Sequence, residues 1–356
     1  MTVGSWLALI PRDTVFIRDG RSFDAAADNS AETVLPGPAT VAGAVGAAFG
    51  AEPDEVRGPV LAQRAGTRWL PHFSVPADLV GSARSDDQLV YRLEPQALPG
   101  RTDLDSRTGQ ASGEGLAVAP ERWMLPPAHA EPAEDLAGWL PGRVLAEYLA
   151  GRVPAAEETA RADLELAEPL VRESRVGLAR EDRQARTGYL YASVHLRPRE
   201  GWAFLAEVRC TDSWKREPGG PVKFGGRGRL ADAEPVLSQW PDHPAGRVKE
   251  KVLVYVATLA LWPGGWYPPL PPGARLIAAA AGRPVPVATL TPGDRWRQSR
   301  VLRWAVPPGS VYLLEFESAE LGATWAKEVH GKAYAPGIDD RLRTAGFGVV
   351  LTGVWT

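Results

Sequence analysis

The chain has 356 residues, 44% of them hydrophobic and 23% charged, with a formal net charge of -3. That balance belongs to a globular protein with room for two domains; it excludes a disordered chain, and no apolar run reaches the ~18 residues a membrane helix needs. A single cysteine, Cys210, excludes an internal disulfide and a multi-cysteine zinc site, and the five histidines show no pair at the helical spacing of metal sites. No metal or other cofactor is expected.

In chain order, Ser5 to Pro11 (SWLALIP) reads as a short strand stopped by proline. It has no basic leader before it, so it reads as a first strand rather than a signal peptide, and the expected location is cytoplasmic. The loop RDTVFIRDGRSF follows, with Arg18 and Arg21 beside an Asp19-Gly20 turn. LPGPAT then leads into VAGAVGAAFG, a small-residue helix with Thr40 as N-cap and Gly50 as its stop. From about residue 84 to 170 the chain is rich in Pro, Gly and acid. Between Arg101 and Val171 there are 13 acids and 6 bases, so this stretch reads as an exposed acidic insertion carrying one helix at Pro141 to Leu149.

Strand patterns dominate after that: Arg175 to Ala179, Gly188 to Arg197, Trp202 to Cys210, and a strand through Leu230 after the turn FGGRGR. A second β-rich block runs over Lys251 to Trp262, Ala274 to Ala281, Val301 to Ala305 and Ser310 to Phe316. A helix at Ser318 to Val329 and a closing strand, Gly346 to Trp355, complete it. Gly346, Gly348 and Gly353 in that last segment read as packing relief. The order predicts an α+β fold of two units with antiparallel sheets.

Charge is unevenly distributed. Between Arg172 and Leu230, 13 Lys/Arg face 7 Asp/Glu, so the remainder of the chain carries about -9. A local cationic surface on an acidic protein points to a polyanion held at one place. The residues that could hold it are the N-H groups of the helix entrance near Thr40, the Gly225-Gly226 turn with Arg227 and Arg229, and Arg180, Arg183 and Arg186 at a hairpin tip. FGGRGR lacks the GK[ST] ending of a nucleotide P-loop. A nuclease reading would draw on His195 with Tyr189, Tyr191 and Lys223; alternation puts the two tyrosines and the histidine on one strand face. The alternatives for each feature are an ordinary capped helix, a tight turn, a solvated loop and a packed strand histidine.

Taken as an ordered series, PRDTVFIRDGRSF, LPGPATVAGAVGAAFG, RVGLAREDRQARTGYLYASVHLR, FGGRGR, GGWYPP, PPGSVYLLEF and RTAGFGVVLTGVW resemble the RAMP superfamily of CRISPR proteins, most closely the subunit-three family of the type III-B (Cmr) effector complex. The resemblance implies two tandem ferredoxin-like (RRM-type) domains, at about 1-240 with the insertion at 84-170 and at 245-356. It also implies a non-catalytic role in antiviral defence: holding the repeat-derived 5′ tag of the crRNA beside the large polymerase-like subunit and the backbone RAMP subunit. Carried onto this chain, Thr40, the Arg180 to Arg186 hairpin and the Gly225 to Arg229 turn become RNA contacts. The turn departs from the family in having GGRGR where an acidic residue more often stands among the glycines. Three other readings remain open: a RAMP endoribonuclease processing precursor RNA through His195 and Tyr191, a protein-protein scaffold, and the 5′-capping subunit of another CRISPR subtype.

Overall fold

The computed structural model describes residues 5–19, 33–82, 89–97, 120–130, 132–159, 168–181, 183–209, 217–290 and 300–355, with backbone alone for 178–181, 185–192, 290 and 300. The chain begins with β1 (Ser5–Pro11), α1 (Pro38–Phe49), β2 (Glu55–Ala65), β3 (Arg68–Ser74), β4 (Leu79–Ser82) and β5 (Val90–Arg92). It continues with β6 (Glu94–Gln96), β7 (Trp123–Leu125), β8 (Ala133–Asp135), β9 (Trp139–Pro141) and α2 (Gly142–Leu149). Next come β10 (Leu170–Glu181), β11 (Gln184–Pro198), β12 (Trp202–Arg209), β13 (Pro221–Lys223), β14 (Leu230–Val236) and β15 (Lys251–Val256). The last elements are β16 (Ala274–Ala280), β17 (Val285–Leu290), β18 (Arg300–Ala305), β19 (Val311–Phe316), α3 (Ala319–Val329), β20 (Lys332–Ala333), α4 (Asp340–Thr344) and β21 (Val349–Val354). The fold is mixed, mostly strands with few helices.

Two antiparallel sheets organise it. The first has the order β13-β14-β1-β12-β2-β3-β9 and the second β16-β19-β15-β21-β20. Their central strands share one pattern: β14-β1-β12-β2 and β21-β15-β19-β16 both place the fourth, first, third and second strands of a unit side by side. The helix α1 lies between β1 and β2 of the first sheet, and α3, followed by the short α4, between β19 and β21 of the second.

Local chemistry explains the helices. In α1, Val41, Ala44, Val45, Ala48 and Phe49 recur on one face and pack against Leu7, Leu9, Val56 and Phe204 of the first sheet. Gly50, at φ 66°, ends the helix in the left-handed conformation expected of it. The start differs from the sequence reading. Gly37 is the N-cap, Pro38 opens the helix, and Thr40 lies inside the first turn with its N-H bonded to Gly37 O at 3.0 Å. Proline suits the first turn because no N-H partner is needed there, and this moves the boundary ahead of the threonine. At the other end of the chain, Ser318 caps α3 by accepting from Leu321 N-H.

Two further differences concern the interior. The sequence reading has no strands between residues 50 and 84, yet β2 and β3 lie inside the first sheet. Pro59 and Pro71 hid them, since proline normally argues against a central strand. The helix predicted at Pro141 to Leu149 is present as α2, but in the core rather than on an exposed insertion. Val144, Leu145, Tyr148 and Leu149 are completely buried between Val60 and Phe73 of the first sheet and Leu253, Tyr255 and Leu351 of the second. A Cβ at Gly353 would lie 2.5 Å from Leu149 O, so glycine there is what lets α2 rest directly on β21, as the packing-relief reading required. The β10-β11 hairpin forms its own two-stranded sheet, and its base meets the first unit through the Val15-Leu196 bridge. Among the described residues no helix is long and apolar enough to cross a membrane.

Candidate nucleic-acid interface

The loop after β1 is the hub on which three distant segments converge. Val15 exchanges backbone hydrogen bonds with Leu196 of β11, at 2.7 and 2.9 Å, which fixes the loop to the hairpin base. One residue later, Phe16 O accepts from Gly226 N-H at 2.7 Å and so pins the glycine turn. Only glycine fits this approach comfortably, because a Cβ at Gly225, where φ is +94°, would lie 3.0 Å from Phe16 O. The turn closes on itself with Phe224 N-H donating to Arg229 O at 2.8 Å.

Side chains then form two adjoining layers. The Phe16 ring stacks on His195, with centroids 4.6 Å apart and planes 18° from parallel. The guanidinium carbons of Arg18 and Arg227 lie 5.5 and 5.3 Å from the same ring's centroid, within cation-π range. His195 is 2% exposed and shares a 2.9 Å hydrogen bond between its Nδ1 and Thr14 Oγ1. Burial, helped by the positive charges of Arg175 and Arg229, holds its pKa below the usual value, so the ring is neutral at physiological pH.

The second layer centres on Asp13. Its Oδ1 accepts from Arg197 Nη2 at 2.7 Å, and its Oδ2 accepts from Arg175 Nη2 at 3.3 Å and from Arg229 Nη1. Glu173 braces the same pair, accepting from Arg175 Nε at 2.7 Å and Arg197 Nε at 2.8 Å. Desolvation pushes the Asp13 carboxyl up, but the hydrogen bonds and charges of Arg197 and Arg175 outweigh it and hold the group down at about 2. Arg229 Nε is buried without a hydrogen-bond partner.

The predicted residues are thus sorted by geometry. Arg18, Gly225, Gly226 and Arg227 gather around Phe16, and Arg229 joins Asp13 in the adjoining layer. Arg18 also lines a mostly apolar cavity of about 460 Å³ bounded by β2 and β3 of the first sheet, by the loop after β15 and by β17; Gly37 and Thr40 at the entrance of α1 line it too. Arg183 is exposed at the tip of the β10-β11 hairpin, with φ +66°, roughly 40 Å along the strand from His195 at ~3.4 Å per residue. Arg180 and Arg186 belong to the strands flanking that tip, but their side chains, like those of Tyr189 and Tyr191, lie outside the described residues. Arg21 and Cys210 lie outside them altogether. Sequence reading missed Asp13, Phe16, Arg175 and Arg197; Asp13 and Phe16 stand in the PRDTVFIRDGRSF segment, and Arg175 and Arg197 in the basic stretch, but nothing local marked their roles.

His195 is badly placed for acid-base work. A general base must reach the proton it takes, and this ring is enclosed between Phe16 and Thr14. Among the described residues no group of three or more His, Cys, Asp or Glu side chains is placed to hold a metal ion. Beside the buried Phe16-His195 stack stand guanidinium groups and the N-H groups of a backbone turn, chemistry suited to holding phosphate.

A family model described as CRISPR-associated protein (Cas_Cmr3) matches residues 7–355. No curated protein sequence matches the chain. Among solved structures, a chain of the type III-B Cmr-beta bound to cognate target RNA, determined by cryo-EM, is similar at 13% identity and a TM-score of 0.47, covering 86% of each chain. A chain of the same complex bound to cognate target RNA and AMPPnP, state 1, is similar at 12% identity and a TM-score of 0.47, covering 98% of this chain and 99% of that one.

Proposed function

The chain belongs to the Cas_Cmr3 family of CRISPR-associated proteins, and from that premise we propose that it is the non-catalytic subunit of a type III-B effector that holds the repeat-derived 5′ tag of the crRNA. The observation that carries the reading is the convergence of the glycine turn, Arg18, Arg227 and the arginine-rich hairpin base on the Val15-Phe16 segment. Arginines and turn N-H groups take the phosphates, and the hairpin orders the strand as it leaves the tag. The enclosure of His195 supports a binding role over the endoribonuclease alternative. The two sheets support tandem ferredoxin-like domains, because each repeats the fourth-first-third-second strand order of that fold with one of its two helices. In this reading the protein works in the cytoplasm, against the large polymerase-like subunit and the first backbone RAMP subunit.

The test is affinity purification of the tagged protein from its host, with sequencing of bound RNA and identification of bound proteins. Short RNAs sharing one repeat-derived 5′ end, with other effector subunits, are expected. Arg227→Ala combined with Arg229→Ala should lower RNA retention by roughly tenfold or more and flatten its salt dependence, by ~0.7 in log-log slope for each phosphate no longer neutralised. Unchanged RNA content and salt response in that variant would sink the assignment of the glycine turn. A discrete product from precursor RNA, absent with His195→Ala, would replace the binding role with the nuclease.

A further inference from the structure

Three guanidinium groups from three separate segments, Arg175 on β10, Arg197 on β11 and Arg229 after the glycine turn, meet on a single carboxylate, Asp13. A carboxylate and an RNA phosphodiester present the same face to such a cluster: two acceptor oxygens sharing one negative charge. We propose that this cluster is a site for one phosphodiester of the bound strand, that Asp13 is its built-in occupant, and that the phosphate takes over the arginines when RNA docks. The inference rests on the RNA-holding reading and deepens it, by naming a backbone contact and the residue that regulates access to it.

Exposure, bracing and position carry the argument. The side chains of Asp13 and Arg197 are 42% and 43% exposed, so an incoming phosphate reaches them from solvent. Ion pairs this exposed are weak because water and salt screen them, so exchanging the partner costs little. Glu173 grips both Arg175 and Arg197 independently of Asp13. The two arginines therefore keep their orientation when Asp13 turns away, and three guanidiniums then face one remaining carboxylate. The network also adjoins the Phe16 stack, since Asp13 and Phe16 stand on the same loop and Arg227 and Arg229 on the same turn, so a strand held at Arg18 and Arg227 lies close to it. An internal competitor of this kind screens out isolated anions. A free phosphate must displace Asp13 for a single contact, whereas a strand already held by Arg227 delivers its phosphate at high effective concentration.

The experiment compares the full-length wild type with Asp13→Asn, Arg197→Gln and the double variant. Each is titrated with a single-stranded RNA that begins with the host's repeat-derived 5′ segment, over a series of salt concentrations. Asp13→Asn should bind about threefold to tenfold tighter at moderate salt, with a steeper salt dependence, because one competing charge is gone. Arg197→Gln should bind several-fold weaker, and adding Asp13→Asn to it should recover much less than it gains in the wild type. If Asp13→Asn binds no tighter while wild-type protein retains RNA in an Arg227-dependent way, Asp13 is only a brace for the arginines and this proposal is overturned alone. If the wild type retains no RNA, from the host or in the titration, the RNA-holding reading falls and takes this proposal with it.

Discussion

Asp78 and Asp13 are both ion-paired with arginine, one in the interior and the other at the surface. Asp78 is completely buried under α2, where Tyr148 donates to its Oδ1 at 2.6 Å and Arg92 donates to its Oδ2 at 2.9 Å. Arg92 also lies over the Tyr148 ring, 4.6 Å from its centroid. Burial pushes the Tyr148 hydroxyl far up in pKa, so it stays a neutral donor to the carboxylate. Asp13 has more guanidinium partners, three against one, but it meets them at the surface. Partner number therefore does not rank the two sites; the surrounding dielectric does. Asp78 is fully shut off from water and Arg92 largely so, which makes the pair fixed structure, whereas at the surface water competes with Asp13 for its arginines.

The same substitution at both positions exposes the contrast, and the interior gives the largest effect. Asp78→Asn leaves the Arg92 charge buried with no counter-ion, and the loss should be about 3–5 kcal/mol in urea or thermal unfolding. Replacing the whole pair, as Asp78→Leu with Arg92→Met, should cost markedly less than the single change, because no unpaired charge remains. A single-variant cost below about 1 kcal/mol would mean that water reaches the pair, and the distinction between the two sites would collapse.

What could be read in advance follows from the range of the forces involved. The β10-β11 hairpin, α3 and the closing strand are carried by local alternation and by the Ser318 cap, and they stand where the sequence places them. The Gly225-Arg229 turn was legible for the same reason, since glycine spacing is itself a local signal. β2 was not, because Gly58-Pro59 interrupts a strand whose place is set by pairing with β12 and β3. The burial of α2 depends on Leu253, Tyr255 and Leu351, and no pattern within an eight-residue helix reveals partners so far along the chain. Asp13 is the extreme case. It reads as an ordinary loop acid after proline, and its meaning lies in arginines 162, 184 and 216 residues away.

Buried histidines belong to the interior side as well. His72, His195, His243 and His330 all have pKa values lowered first by burial, His243 to about 4. At His330, where Nε2-H donates to Pro241 O at 2.8 Å and Nδ1 accepts from Thr352 N-H at 3.0 Å, burial outweighs the bond to the carbonyl, which favours the proton. The unfolded chain binds protons at these rings near pH 6.5, before the folded chain does. Stability from them is therefore complete above about pH 6.5 and is lost as the pH falls toward 4. The melting temperature should drop by several degrees or more over that window. A flat profile from pH 7 to 4 would show that the rings are open to water in the folded state.

The smallest effect belongs to the surface. Asp13 is lowered rather than raised, so its contribution is present above the unfolded carboxyl value near 3.8 and disappears only as the pH falls to about 2. At neutral pH its loss in Asp13→Asn should change unfolding stability by no more than about 1 kcal/mol, since exposed pairs are well screened and Glu173 still braces two of the three arginines. The two Asp→Asn variants then separate cleanly: at Asp78 the change unsettles the fold, and at Asp13 it leaves the fold nearly untouched while altering the hold on RNA. A destabilisation at Asp13 as large as that at Asp78 would mean that the arginine cluster is clamped structure, and its guanidiniums would not be free to pass from a carboxylate to a phosphate.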